Sequence, residues 1–319
     1  MTTLLISAGT AFSASSPLHY TLCWDNQYAH TGATKENMYL YALMTHPGQK
    51  YRSKRDLKRK LEKGKGNSYK PEILSSQSKY CLQMPQEYLY EFFCEGTSIE
   101  NYIKYYLRHW DIIKNDYKAV ADFSNQNAVL SEGFLREIKP KLLEYFDVKI
   151  VMVFRDPIRR LWSVCNKVAQ TSRKSIPLGK TFYTQCESDD TPYTLFRKWV
   201  SGELEPNAMY SNIYSKYKNV WGEENVHMVV MEEFWSGKTQ PLSDFLDFPI
   251  DTVHENVYWP DKGSKAPHYE HLKDQWISNT HDLDLETWKF ARENIDWVYK
   301  DFERTFGYIP DEWGKWYET

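Results

Sequence analysis

The sequence predicts a single α/β domain over residues 1–319, in which a central parallel β-sheet is flanked by helices. Three observations carry that expectation. Val148 to Phe154 is an apolar, β-branched run interrupted only by Lys149, as suits a strand buried on both faces. Arg155-Asp156-Pro157 ends it, and Ile158, Leu161, Trp162 and Cys165 then recur at helical spacing, so a helix starts at Asp156. Leu4 to Thr10, Ala11 to Ser16 and Pro17 to Leu22 repeat the order of strand, loop and helix near the start. Strands that alternate with helices in this way build a parallel sheet, because each crossover lays its helix on a face.

The remaining elements follow in order. Glu100 to Ile113 is a Tyr-rich amphipathic helix, Ala119 to Phe123 a short strand, and Glu132 to Phe146 the helix that leads into the central strand. Pro192 to Val200 and Met209 to Val220 read as helices, Val226 to Met231 as a further buried strand closed by Glu232 and Glu233, and Glu286 to Phe306 as one long closing helix. Between Lys50 and Lys65 nine basic residues crowd against only Asp56 and Glu62. Such a run forms a solvated face or an electrostatic guide for an anionic acceptor. No internal repeat and no interdomain linker is visible.

The chemistry concentrates where the central strand meets its helix. In open parallel sheets ligands bind at the carboxyl ends of the strands, and the free N–H groups of a helix N-terminus favour anions. Arg155 stands at that strand tip and Ser163 lies two turns into the helix, so a guanidinium fork and a hydroxyl can converge on one phosphate.

The pattern Arg-Asp-Pro-x-x-Arg-x-x-Ser closely resembles the 3′-phosphate motif of sulfotransferases that use 3′-phosphoadenosine 5′-phosphosulfate. That resemblance assigns Arg155 and Ser163 to the 3′-phosphate and implies the P-loop-like fold of that family. By the same resemblance the first loop would hold the 5′-phosphosulfate, with Ala14, Ser15 and Ser16 on the family's Gly-Thr-Thr positions and the hydroxyls of Thr10, Ser13, Ser15 and Ser16 as its cradle. Phe12 stands where the family carries a basic residue. Lys35-Glu36 resembles the Lys-Glu pair of the heparan-sulfate and carbohydrate type, which makes Glu36 the general base and Lys35 its charged neighbour; His19 and His30 are the competing bases. Asp122 and Ser124 match part of a Glu-Lys-Ser-Pro stretch, with Phe123 in place of the Lys. Glu232 and Glu233 match an acidic pair that supports the fold. Lys262, Gly263, Ser264 and Lys265 match a late loop that wraps the 3′-phosphate.

Composition narrows the class further. Hydrophobic residues make up 41% and charged residues 26%, a globular balance, and a net charge of −3 gives no field for nucleic acid. Five cysteines (23, 81, 94, 165 and 186) show no metal spacing; the odd count and the absence of a secretory leader point to reduced thiols and a cytoplasmic setting. The apolar run Leu4 to Ala8 is too short to span a membrane. The expected function is metal-free transfer of a sulfuryl group from 3′-phosphoadenosine 5′-phosphosulfate to an acceptor hydroxyl, a carbohydrate or anionic glycan being one candidate. Two alternatives remain open: a non-catalytic anion-binding protein on the same scaffold, favoured by Phe12 and Phe123, and a kinase-like phosphotransferase, disfavoured because Gly-x-x-x-x-Gly-Lys-[Ser/Thr] is missing.

Overall fold

Five parallel strands, β1 (Thr2–Ser7), β2 (Ala29–His30), β3 (Ala119–Asp122), β4 (Phe146–Phe154) and β5 (Val226–Val230), lie in the order β2-β3-β1-β4-β5. The computed structural model describes residues 1–10, 13, 15–32, 37–50, 91–92, 94–172, 191–201, 210–251, 253 and 283–313. From β1 the chain turns first to one side of the sheet, for β2 and β3, and then to the other, for β4 and β5. The carboxyl end of β1, between β3 and β4, is therefore the point at which the strand order reverses, where such sheets bind their ligands.

Both faces of the sheet are covered, so its strands are apolar throughout rather than alternating. Leu4 and Ile6 of β1 and Ile150, Met152 and Phe154 of β4 enter the larger core. There they meet α2 (Tyr39–Thr45), α3 (Ile99–Ile113), α4 (Glu132–Leu143), α5 (Pro157–Ser172), α6 (Pro192–Val200), α7 (Tyr210–Trp221), α10 (Leu285–Asn294) and α11 (Asp296–Phe306). Leu5, Val151 and Val153 face the other way, onto α1 (Ser15–Tyr20), the π-helical turn Thr21–Asp25, α8 (Met231–Trp235) and α9 (Gln240–Leu246). Lys149, the polar residue of the central strand, donates from Nζ to the Phe245 carbonyl at 2.6 Å and so satisfies the last turn of α9.

Local chemistry sets the helix ends. Ser98, Ser131 and Asp284 each accept a backbone N–H three residues on, at the starts of α3, α4 and α10. Thr191 forms a reciprocal box with Thr194 at the start of α6. Three expected boundaries move. The first loop, expected to reach Ser16 ahead of a helix from Pro17 to Leu22, ends sooner: α1 already starts at Ser15 and gives way to the π-helical turn at Thr21. The helix expected to run to Phe146 ends at Leu143, because Phe146 already pairs with Thr2 as the first residue of β4. The single closing helix is two: Ile295 (φ −111°, ψ 17°) leaves helical geometry and is buried, and α11 restarts beyond it, with Arg292 reaching Asp296 across the break. After that break Phe302 contacts Phe154 edge-on, with ring centroids 6.4 Å apart, at the tip of β4.

Gly9, just past β1, carries no side chain because β4 leaves no room for one: a Cβ there would lie 2.8 Å from Val153 Cβ and 3.1 Å from its carbonyl oxygen. Gly9→Ala should therefore part β1 from β4 at the carboxyl edge and cost about 1–3 kcal/mol, the usual range for overpacking. Urea unfolding measures it, and a midpoint equal to that of the parent would show that the strands tolerate the methyl group.

Candidate functional site

The turn after β4 is held by hydrogen bonds from several elements. Asp156 caps α5: its Oδ1 accepts the Arg159 N–H at 2.9 Å and its backbone carbonyl accepts the Arg160 N–H at 2.9 Å. Pro157 supplies the fixed φ of the first helical position. The other carboxylate oxygen of Asp156 accepts the Tyr299 hydroxyl at 3.1 Å, which ties α11 to the turn. Tyr210 of α7 donates to the Arg155 carbonyl at 2.7 Å. From the first turn of α8, just beyond β5, Glu232 accepts the Asp156 backbone N–H on Oε1 at 3.1 Å and the Trp313 Nε1–H on Oε2 at 3.0 Å.

Arg155 and Ser163 meet directly. Arg155 Nη1 donates to Ser163 Oγ at 3.1 Å, and Ser163 passes its own hydrogen to the Arg159 carbonyl at 3.0 Å. The guanidinium thus points across the first turn of α5, with 12% of its side chain exposed and Nε 4.0 Å from Glu232 Oε1. Burial pushes the Asp156 and Glu232 carboxyls up; for both of them Arg155 and Arg159 pull the other way. Burial holds Arg159 below its ordinary value while Asp156 and Glu232 raise it. Arg160 is buried as well, so the arginines beyond Arg155 do not form a solvated face. Among the described residues, the Arg155 and Arg159 guanidiniums both act on the two buried carboxylates.

The neighbouring strand tip carries hydroxyls. Thr10 and Ser13 bond to each other after β1, the Ser13 N–H donates to the Thr10 carbonyl at 3.2 Å, and both side chains are buried. Ser15 donates to Asn125 Oδ1 at 3.0 Å in the 3-10 turn that follows β3, and Asn127 of the same turn donates to the Ser7 carbonyl at 3.2 Å. Ser16 lies in α1. Phe12 and Ala14 lie outside the described residues, as do Lys35, Glu36, Lys262, Gly263, Ser264, Lys265 and the basic run after Lys50.

The chain on either side of Lys35-Glu36 is described. Asn37 donates to the Tyr106 hydroxyl at 2.7 Å, and the Met38 N–H donates to Ser124 Oγ at 2.8 Å, with Met38 in the left-handed region at φ 55°. Ser124 in turn donates to Asp122, which also accepts the Tyr102 hydroxyl at 3.0 Å. Asp122 and Ser124 therefore build a buried polar knot that fixes the chain just after Glu36 against the tip of β3. On the other flank, Gly32 (φ 73°) packs so closely against the Tyr105 hydroxyl that a Cβ would lie 2.2 Å from it.

The two histidines divide. His30 Nδ1 accepts the Gly32 N–H at 3.0 Å and lies 2.7 Å from His109 Nε2, which must then donate. That arrangement commits His30 to a buried imidazole pair. His19 stands where three strand exits converge: Nε2 shares a hydrogen bond with Thr31 Oγ1 at 3.3 Å, and the ring meets Phe123 edge-on, centroids 5.1 Å apart. Of the residues that organise the turn after β4, Tyr210, Tyr299 and Trp313 carry no readable signal in the sequence, since each reaches the turn from a distant helix or loop.

No protein-family model and no curated protein sequence matches this chain. Among solved structures it is similar to a sulfotransferase from Alicyclobacillus acidocaldarius, at TM-score 0.43 and 16% identity over 91% of this chain and 99% of that one. It is also similar to the sulfotransferase domain of the curacin biosynthetic pathway, at TM-score 0.43 and 15% identity over 92% and 96% of the two chains. A third neighbour is the sulfotransferase domain of the Synechococcus PCC 7002 olefin synthase, at TM-score 0.41 and 15% identity over 92% and 94%. Likeness at this level assigns no role to any residue. No metal-ligating group of three or more side chains occurs among the described residues, nor does any helix among them have the length and apolarity to cross a membrane.

The imidazole pair has a pH signature. Burial lowers His30 to about 4 and holds His109 well below its ordinary value, with His30 adding to the effect. The unfolded chain takes up the His30 proton as pH falls through 6.5 while the folded chain refuses it until about 4, so this contribution is complete above 6.5 and is lost on descending toward 4. Buried Asp122, Asp156 and Glu232 act in the opposite sense, which makes the comparison between variants the informative one. His30→Asn, whose amide oxygen can still accept the Gly32 N–H, should flatten the acid slope of the melting temperature between pH 6.5 and 4. Parallel slopes in the two proteins would mean that the pair is not the titrating element.

Proposed function

We propose that this protein is a sulfotransferase that uses 3′-phosphoadenosine 5′-phosphosulfate and transfers its sulfuryl group to an acceptor hydroxyl. The observation that carries the proposal is the Arg155–Ser163 contact at the tip of β4, backed by the capped N-terminus of α5 and adjoining the hydroxyl loop after β1. β1 and β4 are hydrogen-bonded neighbours, about 4.8 Å apart. One nucleotide with phosphates at both ends can therefore span the two exits. In this scheme Arg155 and Ser163 hold the 3′-phosphate with Lys262, Gly263, Ser264 and Lys265. Ser13, Ala14, Ser15 and Ser16 cradle the 5′ end through hydroxyls and backbone N–H groups.

The nucleotide supplies the activated sulfuryl group, and the chain's own residues orient it and move one proton. Glu36 takes the proton of the acceptor hydroxyl as the new O–S bond forms and the S–O bond to the 5′-phosphate breaks. Lys35 and the loop N–H groups stabilise the charge left on the departing phosphate. The scheme needs no metal. The basic run after Lys50 suits an anionic glycan as acceptor. Cys23, Cys94 and Cys165 are buried, and reduced thiols at these positions would suit the cytoplasm.

One observation favours a second reading, that of a binding protein on this scaffold. Phe123, fully buried against His19, occupies the position where the resemblance expects a lysine. His19 is also the alternative base, since it stands at the convergence of the strand exits.

Arg155→Ala should weaken binding of 3′-phosphoadenosine 5′-phosphate by about 3–6 kcal/mol, two charge-assisted hydrogen bonds of roughly 1.5–3 kcal/mol each, and Ser163→Ala by less. Calorimetry checks it; equal affinity in a folded Arg155→Ala protein removes the clamp. Glu36→Gln should lower sulfate transfer by about 10²- to 10⁴-fold and leave nucleotide affinity nearly unchanged. The comparison with His19→Asn is decisive: full activity in the Glu36 variant with loss in the His19 variant moves the base to His19. Nucleotide binding without transfer to any of a broad acceptor panel would favour the binding protein.

A further inference from the structure

Arg155 is held on one side and left open on another. Its Nη1 is committed to Ser163, a fixed acceptor because that hydroxyl's hydrogen goes to Arg159. Its Nε–H is buried with no hydrogen-bond acceptor among the described residues, although Glu232 Oε1 is 4.0 Å away. A carboxylate free to move would close that gap, because arginine–carboxylate pairs form charge-assisted hydrogen bonds at about 2.7–2.9 Å. Glu232 does not close it, since Oε1 accepts the Asp156 N–H and Oε2 accepts the Trp313 indole N–H. Moving toward the guanidinium would strain or break both bonds in a place where water cannot replace them.

We propose that Glu232, tethered by Trp313, is a positioning residue for Arg155: it orients the guanidinium from beyond hydrogen-bonding reach and leaves its charge un-neutralised for the incoming phosphate. The inference rests on the reading of Arg155 as a phosphate clamp and adds the device that keeps the clamp from being neutralised by the protein's own carboxylate. The tether has a predictable sign. Without the indole N–H, Glu232 gains a free oxygen and captures Arg155, so the clamp is lost although every charge is still present. Neutralising Glu232 as well abolishes the capture.

Trp313→Phe keeps the aromatic packing on Phe302, Tyr299 and Tyr210 and removes only the donor. Calorimetry at fixed ionic strength should show affinity for 3′-phosphoadenosine 5′-phosphate at least tenfold lower in Trp313→Phe, with most of it regained in the Trp313→Phe/Glu232→Gln double variant. Rescue is the discriminating result, because a purely structural bond would leave the double variant no better than the single one. The Arg155 Nε–H resonance of ligand-free protein is read in parallel. It should move downfield and exchange more slowly with water in Trp313→Phe, and return toward the parent position in the double variant. An unchanged resonance in folded Trp313→Phe, or a double variant that binds no better than the single, overturns the proposal. If the parent protein binds no nucleotide, the same series with inorganic pyrophosphate as probe decides: a resonance shift with loss and rescue of pyrophosphate binding upholds the tether while the sulfotransferase reading fails.

Discussion

Asp156 is a carboxylate with no exposure at the start of a helix, and a charge removed from water in this way costs several kcal/mol unless its surroundings replace the lost solvent. Here they do so from three directions. The helix N-terminus offers the Arg159 N–H and the positive end of its dipole, α11 offers the Tyr299 hydroxyl, and the guanidiniums of Arg155 and Arg159 stand within electrostatic reach. Ring packing ties the neighbouring elements together: Phe154 stacks on Tyr210 with centroids 4.4 Å apart, and Trp313 meets Phe302 at 4.5 Å and Tyr299 at 5.9 Å. The strand tip, the helix start and the C-terminal helix are one cooperative unit for this reason. Removing a single partner would leave a buried charge without its counterpart.

The carboxyl edge divides into two kinds of polar environment. At β4 the donors include the cationic Arg155 and Arg159, which act at long range. At β1 they are hydroxyls and backbone N–H groups, neutral and short-ranged, arranged around buried Thr10 and Ser13. The Asp122–Ser124–Met38 knot borders the same edge on its far side and fixes the chain next to the residues from which the base is proposed.

Legibility in the sequence followed the range of the interactions. The strand Val148 to Phe154, the turn at Pro157 and the buried stripe Ile158, Leu161, Trp162 and Cys165 are local patterns, and all of them hold in the fold. The break at Ile295 escaped because helical spacing continues across it, and only the packing of α11 on the tip of β4 explains the interruption. The Arg155–Ser163 pair was readable because both residues belong to one turn and its helix. Glu232 was legible as an acidic strand end that supports the fold, but its partner Trp313 was not, because a contact between chain-distant side chains leaves no spacing to read. The histidines show the same limit: nothing in the sequence joins His30 to His109, so a buried pair looked like a candidate base.

The bond from Trp313 to Glu232 also bears on the order in which the protein is made. β4 and the start of α5 leave the ribosome long before α11 and Trp313, and folding of a growing chain proceeds from the N-terminal end. Until the late segments arrive, Asp156 and Glu232 have no Tyr299 or Trp313 to receive them. A partly synthesised chain can therefore assemble the central strands and still hold an unfinished turn after β4. Completion of the turn after β4 is coupled to completion of α11 and the Trp313 segment, so a prematurely terminated product that retains the sheet would lack the ordered turn.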